Sequence, residues 1–304
     1  MIKFTCIITC YNREDLIQRS IKSILNQSFQ DFEIIIVDDG STDKSIERIK
    51  LILDKRIKLI IHEKNSGQNA AINTGIAASK YDYLAFLDSD DEWLPEYLHE
   101  MYLTYLKNPA VGFAYTFCDE VPSTLLEGEK MYADVLNKGY LSAMIAITAR
   151  KDAVLAIGKF DERYTICQDD DFCFRLAKNY AFKAIPKKLA VIHGAPDSMT
   201  KNLLKLAEGF NFLFENYKED ILINCGGKTL SKHYLDISIV YFRAKALSKG
   251  YKFYFKSLNY YLFSKGTNRF KFPLNQFLKK TIFILRINLS HIKQFILGNH
   301  GRRG

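Results

Sequence analysis

The sequence predicts an α/β protein with a mostly parallel central sheet, and three observations carry that prediction. Apolar runs rich in β-branched residues alternate with amphipathic stretches from Phe4 to Leu87. The first two runs end at Thr9 and Val37-Asp38, about one strand–helix–strand unit apart. Strand–helix alternation at this spacing implies a parallel, doubly wound, Rossmann-like sheet flanked by helices.

In order, Phe4 to Thr9 forms the first buried strand. Asn12 suits a helix N-cap, and Leu16, Ile17, Ile21, Ile24 and Leu25 share one face of the helix that follows. Phe32 to Val37 is the second strand, and Gly40-Ser41-Thr42 leads into a helix through Ile46, Ile49 and Leu53. Ile57 to Ile61 is the third strand, Gly67 to Ser79 a small-residue helix, and Tyr83 to Leu87 the fourth strand. Ligands of such sheets bind beyond the carboxyl ends of the strands, so the chemistry is expected there.

The chain has 304 residues, 48% hydrophobic and 25% charged, which excludes a disordered or fibrous protein. Length suggests about two domains. The net charge of +9 is unevenly distributed. From Ile237 onward there are 14 Lys/Arg and no Asp or Glu, against 29 basic and 34 acidic residues before it. A basic block of this kind fits a polyanionic partner, a nucleic acid or an anionic membrane surface. Six cysteines show no CxxC pair, and Cys6 and Cys10 lie in an apolar run as expected of buried thiols. No secretory signal pattern and no long uncharged apolar run is evident, so a reducing cytoplasm is expected and a membrane-spanning helix is not.

Two acidic groups follow strands directly: Asp38-Asp39 with Asp43, and Asp88-Ser89-Asp90-Asp91. Crowded carboxylates need a cation or hydrogen-bond donors to ionise together, and two Asp two residues apart suit a hard divalent metal shared with a phosphate. Asp43 and Asp91 are assigned to turns or caps. A third cluster, Asp169-Asp170-Asp171, follows Cys167-Gln168 and precedes a helix through Phe172, Leu176 and Lys178. It can cap that helix, supply a general base, or both.

Thr9-Cys-Tyr-Asn-Arg13, Val37-Asp-Asp-Gly-Ser-Thr-Asp43, Asn65-Ser-Gly67 with Asn73-Thr-Gly75, and Leu87-Asp-Ser-Asp-Asp91 together resemble a family 2 glycosyltransferase of GT-A fold over roughly residues 2–200. The resemblance implies an inverting, metal-dependent transfer of a sugar from a nucleotide-sugar, UDP-linked by expectation, to a hydroxyl of a glycan or lipid-linked glycan. It implies that Thr9, Tyr11 and Asn65 line the nucleotide pocket, that Asp39 hydrogen-bonds the uracil, and that Asp88 faces the ribose or sugar. Asp90 would bind Mn2+ or Mg2+, joined by His193 unless that histidine is an ordinary loop residue. The Cys167-to-Arg175 segment resembles the part of the family that carries the base, which falls on Asp169. Asp171 takes the later structural acid, and Asp170 is the expected solvent-exposed neighbour.

Two positions depart from the family pattern. Ala71-Ile72-Asn73 stands where Ala-Arg-Asn is usual, so Lys64 or Gln68 is expected to replace the missing contact. Gln168 stands where Glu is usual. Trp93 is a candidate acceptor-sugar platform or a packing residue.

Residues 1–200 are thus expected to form the catalytic domain and 201–304 a helical, basic and aromatic extension. In the latter, Leu274, Leu278, Ile282, Leu285, Leu289, Ile292 and Ile296 make one apolar stripe, with Lys279, Arg286 and Lys293 on another face. Between Tyr241 and Phe295 lie 14 Phe/Tyr. An interfacial anchor at the inner membrane face fits this composition. A helical subdomain packed on the catalytic domain is the plainer alternative, and no nucleic-acid-binding motif accompanies the charge. As alternatives for function, a polyprenyl-phosphate sugar synthase would need no base, and a non-catalytic binding module would need none of these acids.

Overall fold

In the computed structural model, which describes residues 1–194, 201–263, 272–284 and 286–287, the apolar runs become four strands of a seven-stranded sheet, three of them inner and the third run at its edge. In chain order these first elements are β1 (Phe4–Cys10), α1 (Ile17–Leu25), β2 (Phe32–Asp38), α2 (Ser45–Lys50), β3 (Ile57–Ile61), α3 (Gln68–Ala78) and β4 (Tyr83–Asp88). There follow β5 (Glu92–Trp93), α4 (Tyr97–Lys107), β6 (Phe113–Phe117), α5 (Tyr132–Lys138), a 3-10 turn (Met144–Ala146) and β7 (Ile147–Arg150). The unit closes with α6 (Lys151–Ala156), α7 (Gln168–Asn179), β8 (Phe182–Lys188) and β9 (Ala190–Val191).

The strand order is β3-β2-β1-β4-β7-β6-β8. All pairings are parallel except those of β7, which runs antiparallel to β4 and β6. β5 and β9 form a separate two-stranded ribbon. The inner strands read as unbroken apolar runs because both faces are covered. Ile34 and Ile36 pack with α1 residues Ile17, Ile21 and Ile24. Ile35 and Val37 face the other way, onto Ala71 of α3.

Helix boundaries differ from the sequence expectation at two points. Asn12 does not cap α1. It sits in the left-handed region at φ 52°, and its Oδ1 accepts from the Thr42 N–H at 2.8 Å. A side chain committed to a neighbouring loop is lost as a cap, so α1 begins only at Ile17, after Leu16. The second helix stops at Lys50, and Leu53 is exposed beyond it.

The described residues divide into two compact units, Met1–Pro196 and Asp197–Gly304. The second contains α8 (Leu203–Asn216), α9 (Lys218–Asn224), α10 (Gly227–Arg243) and α11 (Leu247–Phe263). Further helical residues occupy 274–284. Leu235, Phe242, Phe272, Phe277 and Ile284 form its core. The expected stripe is therefore not what this core buries: Leu274, Leu278 and Ile282 are exposed. The remaining stripe positions, Leu285, Leu289, Ile292 and Ile296, lie outside the described residues, as does Lys293.

Gly75 sets how closely α3 approaches β1. A Cβ there would lie 2.6 Å from Ile7 Cγ2, the branch nearest the backbone. Gly75→Ala is expected to destabilise the fold by about 1–3 kcal/mol despite the better helix propensity of alanine. Chemical denaturation of the variant measures this, as a lower midpoint at unchanged slope.

Candidate active site

The carboxyl ends of β1, β2 and β4 bring the first motifs to one edge. Thr9 lies beside Val37 on one side and Asp88 on the other, and Cys10 beside Asp38. Between β1 and β4 the order of connections reverses, which opens a crevice at this edge. Tyr11 is exposed there. The loops after β1 and β2 are laced together. The Asn12 N–H donates to Ser41 Oγ at 2.9 Å, and the Glu14 N–H to Asp43 Oδ2 at 3.1 Å. Asp43 also accepts from the Ser45 N–H, so its role as a turn residue holds.

Asp39 is buried and holds the loop after β3. Its Oδ1 accepts from His62 Nδ1 at 2.7 Å and the Ser66 N–H at 2.9 Å, while Oδ2 accepts from the Gly67 N–H at 2.8 Å. A carboxylate has about four lone-pair positions, so one remains at Oδ2. Gly40, at φ 75°, makes room for this loop: a Cβ would meet the Lys64 carbonyl carbon at 2.7 Å and the Asn65 nitrogen at 2.8 Å. Asn65 and Lys64 are themselves exposed. His62 was not singled out by sequence, although it directly follows β3 at the same sheet edge.

The carboxylates of Asp88, Asp90 and Asp91 offer ligand oxygens all within 4.8 Å of one another. Three hard oxygens at this separation suit Mg2+ or Mn2+. Burial pushes the Asp88 carboxyl well above the ordinary range, and Asp169, Asp91 and Asp90 push it further, against Arg13. That accumulated repulsion is the kind a divalent cation relieves. Asp91 is buried and raised to about 6 by burial. It makes the expected turn, with its N–H on the Asp88 carbonyl at 3.2 Å, and also joins the acidic cluster. His193 lies next to it: its N–H donates to Asp91 Oδ1 at 2.9 Å, while its ring meets Glu92 at 3.1 Å and is not among the clustered ligands.

Asp169 sits in the first turn of α7, where the positive helix end favours a carboxylate. Its Oδ2 accepts from the Met144 N–H at 2.9 Å, and burial raises it to about 6. Among the charges acting on Asp88, that of Asp169 is the largest. The turn that holds Asp169 is held in turn by Trp93, whose Nε1–H donates to the Ile145 carbonyl at 2.7 Å. Trp93 is buried and stacked on Tyr97 at 4.2 Å between centroids. It is a packing residue, not a sugar platform.

The loop before α7 is stapled to α3. Asn69 Nδ2–H donates to the carbonyls of Asp161 and Tyr164, and Asn73 exchanges hydrogen bonds with the Phe160 backbone. Asp171 pairs with Arg175, which also donates to the carbonyls of Ile157 and Lys159, a structural acid as expected. The expectation for Asp170 fails. It is 7% exposed, on the α7 face that also buries Cys173, Phe174 and Ala177, and its Oδ1 has no hydrogen-bond partner among the described residues.

Over residues 5–130 the chain matches the family described as Glycosyl transferase family 2. A glycosyltransferase of Haemophilus influenzae is 32% identical over 234 residues, covering 70% of this chain and 88% of that one. In fold, the chain is similar to Staphylococcus aureus TarS, solved in complex with UDP-GlcNAc. The TM-score is 0.57 at 17% identity, over 86% of this chain and 91% of that one. It is also similar to a mannosyltransferase from Pyrobaculum calidifontis solved with GDP-Man and Mn2+, with TM-score 0.60 and 16% identity, over 83% and 73%. Sheet order and the likeness to these structures define a GT-A fold. The chain belongs to glycosyltransferase family 2.

Burial and the charges of Asp169 and Asp171 push the Asp170 carboxyl well above its ordinary range. A folded-state value above the unfolded one means that the native state binds the extra proton, so stability falls as pH rises from the ordinary carboxylate range toward the folded value. Asp170→Asn removes this slope. The variant is expected to melt above the wild type at neutral pH, with the difference vanishing on acidification in parallel thermal scans.

Proposed function

We propose that the enzyme transfers a sugar from a nucleoside-diphosphate sugar to a hydroxyl with inversion, using Asp169 as general base. The observation that carries this is the link from Asp88 through Gln68 and Gln168 to the helix turn bearing Asp169, whose carboxyl is raised to about 6. An acid with that value is ionised at neutral pH and is still a competent proton acceptor. The acceptor oxygen attacks the anomeric carbon from the face opposite the diphosphate. As that bond forms, the bond from carbon to phosphate oxygen breaks, and its electron pair leaves with the nucleoside diphosphate. The hydroxyl proton passes to Asp169, whose orientation the Met144 N–H maintains.

Thr9, Tyr11, Asn65 and the free lone pair of Asp39 are proposed to line the nucleotide pocket, with Asp88 toward ribose or sugar. Asp88, Asp90 and Asp91 would hold Mg2+ or Mn2+, which when bound neutralises charge on the departing diphosphate. His193 is proposed as a neighbour of that cluster, tied to it through Asp91. Residues 1–200 would then be the catalytic domain.

A panel of UDP- and GDP-sugars tests this by product release. Asp169→Asn is expected to lower turnover by about 10²–10⁴-fold while leaving UDP or GDP binding by calorimetry intact. Wild-type turnover in that variant would overturn the assignment of the base. For the wild type, turnover should fall about tenfold per pH unit below a value near 6, because a protonated Asp169 accepts nothing.

The second unit is proposed to bind the anionic face of a membrane, placing a lipid-linked glycan acceptor within reach. The basic block from Ile237 supports this, as does the exposed set Tyr251, Phe255 and Phe263 on α11 with Leu274, Leu278 and Ile282. Among the described residues no helix is long and apolar enough to cross a membrane. Removing the chain from Ile237 would cut α10, so point variants are the better test. The full chain should float with phosphatidylglycerol vesicles and be released by salt, and Phe255→Ser/Phe263→Ser should remain in the vesicle-free fraction.

A further inference from the structure

Two glutamine side chains join the donor-side acids to the helix that carries Asp169. Gln68 Nε2–H donates to Asp88 Oδ1 at 2.8 Å, and Gln168 Nε2–H donates to Gln68 Oε1 at 3.2 Å. At the far end, Gln168 Oε1 is buried and has no hydrogen-bond partner among the described residues.

An amide has a donor end and an acceptor end, so in a chain of amides each orientation dictates the next. Asp88 Oδ1 accepts from Gln68, which turns its NH2 toward it. The Gln68 carbonyl then faces Gln168, which must offer its own NH2. The acceptor left over falls at Gln168 Oε1, next to Asp169 in sequence and shut off from water. Leaving it unpaired is unfavourable, and that penalty is imposed by the acceptor at Asp88, at the other end of the chain. When a cation draws on the Asp88 oxygens, the bond from Gln68 weakens and the constraint on both amides changes with it.

We propose that Gln68 and Gln168 form an amide relay that reports the ion-bearing state of Asp88 to the first turn of α7. Both are positioning residues for Asp169. With Gln68 in this orientation, an ionised Glu at 168 would present only acceptors to its carbonyl, so position 168 calls for a donor, which the amide of Gln168 supplies. The proposal rests on Asp88 standing beside a divalent cation, as inferred above.

The test follows the side-chain amide signals of glutamine by ¹H–¹⁵N NMR during titration of the full chain with Mg2+, alone and with UDP or GDP. Gln68 and Gln168 are expected to shift with one midpoint, the same as that of the backbone amides of residues 88–91. In Gln68→Ala the Gln168 response should be lost while residues 88–91 still respond. In Gln168→Ala, one step downstream, Gln68 should respond as in the wild type. If residues 88–91 respond and Gln168 does not, or if Gln168 still responds without Gln68, the relay is overturned and the cation site stands. If no signal responds to Mg2+ under any condition, the cation site falls and the relay with it. Thermal scans of both variants establish that each is folded; should Gln68→Ala not fold, Gln68→Asn, whose shorter amide cannot span both partners, takes its place.

Discussion

Like charges repel, and Asp88, Asp90, Asp91 and Asp169 are brought near one another by elements far apart in the chain. The repulsion is visible at Asp88, where the charges of Asp169, Asp91 and Asp90 add to burial in raising the carboxyl well above its ordinary range. What resists it is a ring of donors. Gln68 holds Asp88, the His193 N–H holds Asp91, and the Met144 N–H holds Asp169. The loop itself is anchored by its backbone, with Ser20 Oγ on the Asp91 carbonyl and Arg19 on that of Asp90. Carboxylates kept together in this way are poised for a ligand of opposite charge, because binding one removes a strain the fold already bears.

Much of the rest of the first unit serves to hold those donors in place. The sheet supplies a straight edge, and the close approach of α3 at Gly75 fixes the helix that bears Gln68. Asp39 turns the loop after β3 back toward α3 through three hydrogen bonds. Trp93, one ribbon residue beyond the acidic loop, grips the 3-10 turn whose first N–H reaches Asp169. The acidic loop after β4 and Asp169 are therefore connected twice, through packing at Trp93 and through amides at Gln68 and Gln168.

Much of this was legible in the sequence where local chemistry decides the outcome. Apolar runs gave the strands β1 to β4, and acids at the ends of β2 and β4 gave the edge where the site lies. Legibility failed where a residue answers to a distant partner. Asn12 has the chemistry of a cap, but Thr42 claims its oxygen. Asp170 was expected outside as the neighbour of Asp169, but Cys173, Phe174 and Ala177 define a buried face of α7, and Asp170 shares it. Trp93 and Met144 matter through a backbone carbonyl and a backbone N–H, which no residue pattern records. In the second unit, periodicity found a stripe, but which stripe faces inward was decided by Phe272, Phe277 and Ile284.

The pair Asn69 and Asn73 has a consequence for how such enzymes can diversify. By clasping backbone atoms of residues 160–164, these two side chains make the approach to α7 an accessory of α3. Most of the clasp reads main chain, with one further bond from the Asn73 Nδ2–H to Glu162 Oε1 at 2.9 Å. Exposed side chains there, such as Arg163, can therefore change without moving the path, whereas Phe160 is buried against Phe172. Insertions and deletions have no such freedom, because a shift of one residue would leave both asparagines holding the wrong atoms.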